Sequence, residues 1–240
     1  MNFNSKIIMK NFFISILFLS LNTQAQSIKF KDENLKKALI ELSLDKNKNS
    51  QIEIKEVEHL EDIDISDKKI RSIDDLINFK NLKVINANNN LISDITPLYG
   101  NEKLEEIYIG DNQLGPILIL KDMPNLKGVY AFRNNLKEIK FLSSFPNLKS
   151  LYLQENPITS LNIENLINLE SLQLFECFDL KEIKLNKKTK IKQFFIIDMK
   201  VKNIVSNDEF TNIVQLEKIE DARNISENEN FKIAPVIKVK

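Results

Sequence analysis

The chain has 240 residues with 34 basic and 34 acidic side chains, one His, one Cys, no Trp and four Gly, and 42% of it is apolar. That is a globular composition with enough apolar residues for a sizeable core. One His and one Cys exclude a Cys/His zinc site and a disulfide framework, four scattered glycines exclude a phosphate-cradling loop, and the zero charge balance argues against nucleic acid as a partner.

Lys6 and Lys10 precede an apolar run over residues 12–21, followed by Thr23-Gln24-Ala25. This is the pattern of a secretory signal peptide over residues 1–25. The run is about half the roughly 20 residues that a membrane-crossing helix needs. Cleavage before Gln26 removes both lysines and leaves 32 basic against 34 acidic residues. No later run is long enough to span a bilayer, so the expected product is secreted or periplasmic, with no membrane insertion.

Residues 26–59 are expected to form an N-terminal cap. Asp32-Glu33-Asn34 opens a helix whose Leu35, Ala38, Leu39 and Leu42 make an apolar stripe suited to covering a neighbouring unit. The segment Asp45 to Glu56 resembles a calcium loop of EF-hand type. The resemblance implies side-chain oxygens from Asp45, Asn47 and Asn49, a backbone carbonyl from Gln51, a water-mediated contact from Glu53 and a closing carboxylate from Glu56. Ser50 stands where the pattern has Gly, at a sharp turn with positive φ. The residues also fit a metal-free turn in which Asn and Asp bond to their own backbone, so calcium as a cofactor is one of two open readings.

From residue 60 to residue 212 one pattern governs the chain. Apolar positions and an Asn recur as Leu82, Ile85, Ala87, Asn90, Ile92, Ile95, and then 22 residues later as Leu104, Ile107, Ile109, Asn112, Leu114, Ile117. Further copies begin at Leu126, Leu148 and Leu169, with weaker ones at Leu60 and Ile191, giving about seven repeats. A 22-residue period is that of leucine-rich repeats, in which a short strand alternates with a helical or extended return. Single units cannot bury their apolar edge, so they stack. The expected fold is an α/β repeat solenoid, a leucine-rich-repeat horseshoe with a parallel β-sheet on its concave side. Asn90, Asn112, Asn134 and Asn156 should form a ladder that satisfies backbone groups of successive turns, with Cys177 buried on the same rung. Residues 213–240 are expected to be a terminal cap or tail, with an eighth degenerate repeat as the alternative for Ile213 and Leu216.

The repeats, with the stretch Ile92-Ser93-Asp94-Ile95-Thr96-Pro97-Leu98, resemble those of the internalins, bacterial surface adhesins. That resemblance implies adhesion or surface recognition as the setting. Helix-plus-loop caps similar to residues 26–59 precede the repeats of some secreted bacterial proteins of this kind.

Alternation along each strand sends positions three, five and seven of the repeat to the concave face. Position five carries Tyr108, Tyr130, Tyr152 and Phe195, and position seven carries Phe132 and Phe175. Adjacent strands lie ~4.8 Å apart, so these rings should form an exposed ladder. Contiguous exposed aromatics mark a binding site, whereas paired aromatics on a sheet also serve as a clamp. Acidic residues surround the stripe, among them Asp62, Asp64, Glu106, Asp111, Glu155 and Asp198. Paired carboxylates could act on a glycoside, but an open sheet lacks the enclosing pocket, and an enzyme is not expected. The expected function is that of a secreted binding protein that recognises a protein partner through this face. Carbohydrate binding and a structural role in the envelope are the alternatives.

Overall fold

In a computed structural model, the structure describes residues 26–186, 188, 189, 191–197, 203–205 and 213–216, with side chains up to Gln193. The apolar run expected to be a signal peptide and the tail beyond Leu216 lie outside the described residues. Among those described, no helix is long and apolar enough to cross a membrane.

The cap begins with helix α1 (Glu33–Glu41). Asp32 caps it, Oδ1 accepting the N–H groups of Asn34 and Leu35 at 2.8 and 3.4 Å. Asp32 Oδ2 accepts from Arg71 and Ser72 at 2.6 and 3.0 Å, so one carboxylate joins the helix to the first repeat. Burial alone would raise its pKa, but the four N–H donors outweigh burial and hold it below the ordinary carboxylate value. Leu35, Ala38 and Leu39 are fully buried against the solenoid core, whereas Leu42, expected in the same stripe, is exposed. It sits at the C-cap, where the chain has left the helix. A short helix α2 (Ile54–Val57) closes the cap through a reciprocal capping box between Glu53 and Glu56.

Strands β1 (Asp62–Asp64), β2 (Val84–Asn86), β3 (Glu106–Tyr108), β5 (Gly128–Tyr130), β7 (Ser150–Tyr152), β9 (Ser171–Gln173), β11 (Gln193–Ile197) and β13 (Ile213–Leu216) form one parallel sheet of eight strands in that order. The register follows the repeat: Ile63, Ile85, Ile107, Val129, Leu151 and Leu172 are aligned and buried. The sheet continues beyond the seventh repeat. Residues 213–216, placed by sequence at the start of the terminal segment, pair in parallel with β11 as an eighth strand.

Returns on the other side change character along the stack. Asp74–Asn78 and Thr96–Leu98 are 3-10 turns, the second with Pro97 in its first turn, where a missing N–H does no harm. Later returns are extended: β4 (Ile117–Leu120) pairs with β6 (Glu138–Phe141), and β10 (Glu182–Lys184) lies between β8 (Ser160–Asn162) and β12 (Asn203–Val205). In β4 the alternation buries Leu118 and Leu120 and leaves Ile117 exposed. The core is a continuous apolar column between the two faces.

Candidate functional site

Each strand ends in a tight turn built in the same way. The residue eight places into the repeat has positive φ in six successive units: Asp67, Asn89, Asp111, Arg133, Glu155 and Glu176, with φ between 46 and 60°. The following residue is the expected rung. Asn156 Oδ1 accepts from Asn134 N–H and Leu136 N–H, both at 3.1 Å, and its Nδ2 donates to the carbonyls of Ala131 and Leu153 at 2.9 Å. Asn90, Asn112 and Asn134 repeat the pattern. Cys177 occupies the next rung, is fully buried, and donates from Sγ to Leu153 O at 3.3 Å. Burial pushes its thiol up to about 11.

A second Asn ladder was not anticipated from sequence. Nδ2 of Asn125, Asn147 and Asn168 donates to the carbonyls of Glu102, Pro124 and Pro146 at 2.6, 3.1 and 2.8 Å. The signal was the recurring Asn-Leu pair that opens these repeats. Positive φ in row eight had a partial signal in Asp67, Asn89 and Asp111, residue types that tolerate it, whereas Arg133, Glu155 and Glu176 gave none.

The aromatic stripe is assembled but is not uniformly exposed. Tyr108 and Tyr130 are stacked, with ring centroids 4.2 Å apart and planes within 1°. Tyr152 meets Tyr130 edge-on at 4.9 Å. Tyr108 is 1% exposed and Tyr130 8%, which corrects the expectation that all three tyrosines face solvent. The reason lies in neighbouring glycines. Tyr130 lies flat over Gly128, where a Cβ would come within 2.7 Å of its ring, and the Phe132 ring lies over Gly110 in space a Cβ would occupy. Tyr108 is further held by its hydroxyl, which donates to Glu106 Oε2 at 2.5 Å. Burial, aided by Glu106, raises both phenols, Tyr130 to about 12. Phe132, Tyr152 and Phe175 remain partly open. Phe195 lies in β11 next to Gln173 in register, and its side chain is outside the described residues.

Polar residues dominate the first strands and satisfy one another. Asp64 Oδ1 accepts from Ser66 N–H and Oγ–H at 3.0 and 2.6 Å, Asn86 Nδ2 donates to Asp64 Oδ2 at 3.1 Å, and Asn88 Oδ1 accepts from Gly110 N–H at 2.7 Å. Burial raises the Asp111 carboxyl, an effect Arg133 opposes.

In the cap loop, Ser50 has φ 62°, the left-handed conformation the EF-hand pattern assigns to Gly. Asp45 accepts from Asn49 N–H and Ser50 N–H at 3.1 and 2.8 Å, and Asn49 Oδ1 accepts from Gln51 N–H at 2.7 Å. Asn47 Nδ2 and Asn49 Nδ2 donate to Glu53, and Glu56 accepts from Lys46 N–H and Glu53 N–H at 2.9 and 3.0 Å. The donor set is all oxygen and suits a hard cation. In this geometry the oxygens close the loop on itself, and among the described residues no three acidic, His or Cys side chains are grouped to hold a metal ion.

A family model described as "Leucine Rich repeats (2 copies)" matches residues 80–122 and 124–167. The functional domain of InlJ from Listeria monocytogenes, which includes a cysteine ladder, superposes with a TM-score of 0.58 at 17% identity, over 71% of this chain and 37% of that one. The fold is a leucine-rich-repeat solenoid. Two other internalin structures from Listeria monocytogenes str. 4b F2365 are also similar. InlF has a TM-score of 0.45 at 22% identity over 74% of this chain and 53% of its own. InlC2 has a TM-score of 0.47 at 16% identity over 76% and 92%. The chain thus spans 37% and 53% of the first two internalin structures. A sequence comparison with curated proteins finds no match.

Proposed function

We propose that this solenoid is a secreted or periplasmic binding protein that recognises a protein partner through its concave face, in adhesion or surface recognition. The observation that carries the reading is the half-open aromatic row of Phe132, Tyr152 and Phe175, set on a continuous parallel sheet of eight strands. Phe195 extends it by register. Aromatic side chains held on a rigid support supply contact area at low entropic cost. Tyr108 and Tyr130 are buried beside the row, Tyr130 meeting Tyr152 edge-on, and are not counted as contacts.

The test is a pull-down from cell-surface extracts with the parent and with a Phe132→Ala/Tyr152→Ala/Phe175→Ala variant, each extract split into protease-treated and untreated halves. Material retained by the parent alone, and lost after protease treatment, is the expected result. Retention that survives protease and is competed by free oligosaccharide points to sugar binding. Equal retention by both proteins removes the row from consideration.

We further propose that the cap loop binds calcium through Asp45, Asn47, Asn49, the Gln51 carbonyl, Glu53 and Glu56, a reading favoured by the left-handed backbone of Ser50. Calcium would supply a fixed charge that holds the loop and, through it, the cap. A melting temperature that rises with calcium in the parent and not in Glu56→Gln is expected. An unchanged melting temperature at millimolar calcium leaves the loop a metal-free turn.

A further inference from the structure

Two features of the concave face speak to the chemistry of its partner, given that a protein binds there. The first is charge segregation. The chain as a whole is neutral, yet positions three to eight of the first six repeats carry seven acidic side chains and one basic one. Asp62, Asp64 and Glu106 occupy rows three and five, and Asp67, Asp111, Glu155 and Glu176 occupy row eight. The basic residue, Arg133, is engaged: Nε donates to Glu155 Oε2 at 2.7 Å and Nη1 lies 3.8 Å from Asp111 Oδ2. At the opposite margin, row two of the same six repeats holds three Lys and three Glu, paired as in Lys83 with Glu61 and Lys127 with Glu105, both at 2.6 Å. One margin is balanced and the other is left acidic.

The second feature is Gln154, in row seven between Phe132 and Phe175. Its carbonyl accepts from Arg133 N–H, and Glu155 N–H donates to Phe175 O, both at 3.0 Å. Gln154 is 5% exposed, and its side-chain Oε1 is buried with no hydrogen-bond partner among the described residues. Native structures rarely leave such an atom unmatched. Here it lies in row seven between the partly open rings of Phe132 and Phe175.

We infer that the partner presents a cationic polypeptide segment carrying apolar residues, which lies along row seven, donates a hydrogen bond to Gln154 and sets Lys or Arg side chains against the carboxylates of row eight. An acidic segment would meet like charge along row eight, and a neutral glycan, whose hydroxyls can donate to these carboxylates, carries no charge to complement them. This rests on the protein-recognition reading above.

Random dodecapeptides displayed on phage are panned against the protein. The enriched peptides are then titrated against the parent, Phe132→Ala/Phe175→Ala and Gln154→Met, at low and high salt. Enriched sequences should be net positive with aromatic or branched apolar residues, and should bind roughly 10-fold more weakly at high salt. Gln154→Met should weaken binding by about 10-fold while the melting temperature holds or rises, since the thioether leaves no buried amide unmatched. A structural glutamine would give the reverse: unchanged binding and a lower melting temperature. Neutral or acidic peptides that still lose binding in the double Phe variant overturn the cationic assignment and leave protein recognition intact. Peptides indifferent to the double Phe variant, or no enrichment at all, overturn both.

Discussion

Tyr108 and Tyr130 stack face to face at 4.2 Å on a sheet surface where strand alternation alone would leave them in solvent. The stack makes them part of the fold's support. Tyr108→Ala should therefore destabilise by about 3–4 kcal/mol, as for a fully buried aromatic, and Tyr108→Phe by about 1.5 kcal/mol through loss of the bond to Glu106. Tyr152→Ala, at a partly open position, should cost about 1 kcal/mol. Urea unfolding of the three variants checks the order, and equal costs for Tyr108→Ala and Tyr152→Ala would contradict the burial difference.

The same burial makes stability fall in alkali. Both phenols are raised by burial in the folded state, Tyr130 from the ordinary 10.0 to about 12. Below pH 10 their contribution is fully present. Above it the unfolded chain ionises while the folded chain stays protonated, so stability is lost as pH rises through about 12. Thermal melts from pH 8 upward should decline from near pH 10, and tyrosinate absorbance should show a late-titrating fraction that Tyr130→Phe reduces.

Gly110 gives up its side-chain volume to Phe132. Gly110→Ala should displace that ring and destabilise by about 1–3 kcal/mol. Adding Phe132→Ala should cancel much of this, so the double-mutant cycle should show coupling of about 1 kcal/mol or more. Strict additivity would mean the ring does not occupy that space.

On the Asn ladder, Asn156→Ala removes a buried amide that serves four or more backbone groups and should cost about 3 kcal/mol. Cys177, one rung further, should be alkylated by iodoacetamide at pH 8 at least about 100-fold more slowly in the native chain than in urea, because its thiol is buried and its pKa raised. Fast native labelling would place the sulfur at the surface.

Much of the fold was legible because it follows from a period. The 22-residue spacing of Leu and Asn fixes which side chains share a face, which residues align across strands and where an amide must serve neighbouring turns. Asn90 through Asn156 and the buried Cys177 follow from that alone. The need for positive φ at Ser50 was equally local, a matter of one loop's turn geometry.

Tertiary structure decided exposure. Alternation assigns Tyr108, Tyr130 and Tyr152 equally to the concave face, but whether a ring on that face meets water depends on the volume of the side chains beside it, on its own strand and on the next. Gly128 and Gly110 leave room for rings to lie flat, and Glu106 holds the Tyr108 hydroxyl, so the stripe divides into a closed stack and an open row. The Oε1 of Gln154, without a partner among the described residues, and the ion-paired Arg133 depend on groups far apart in sequence and adjacent only across strands. A repeat pattern encodes the direction of each side chain, because direction follows from local backbone geometry. What that side chain touches is a property of the stack.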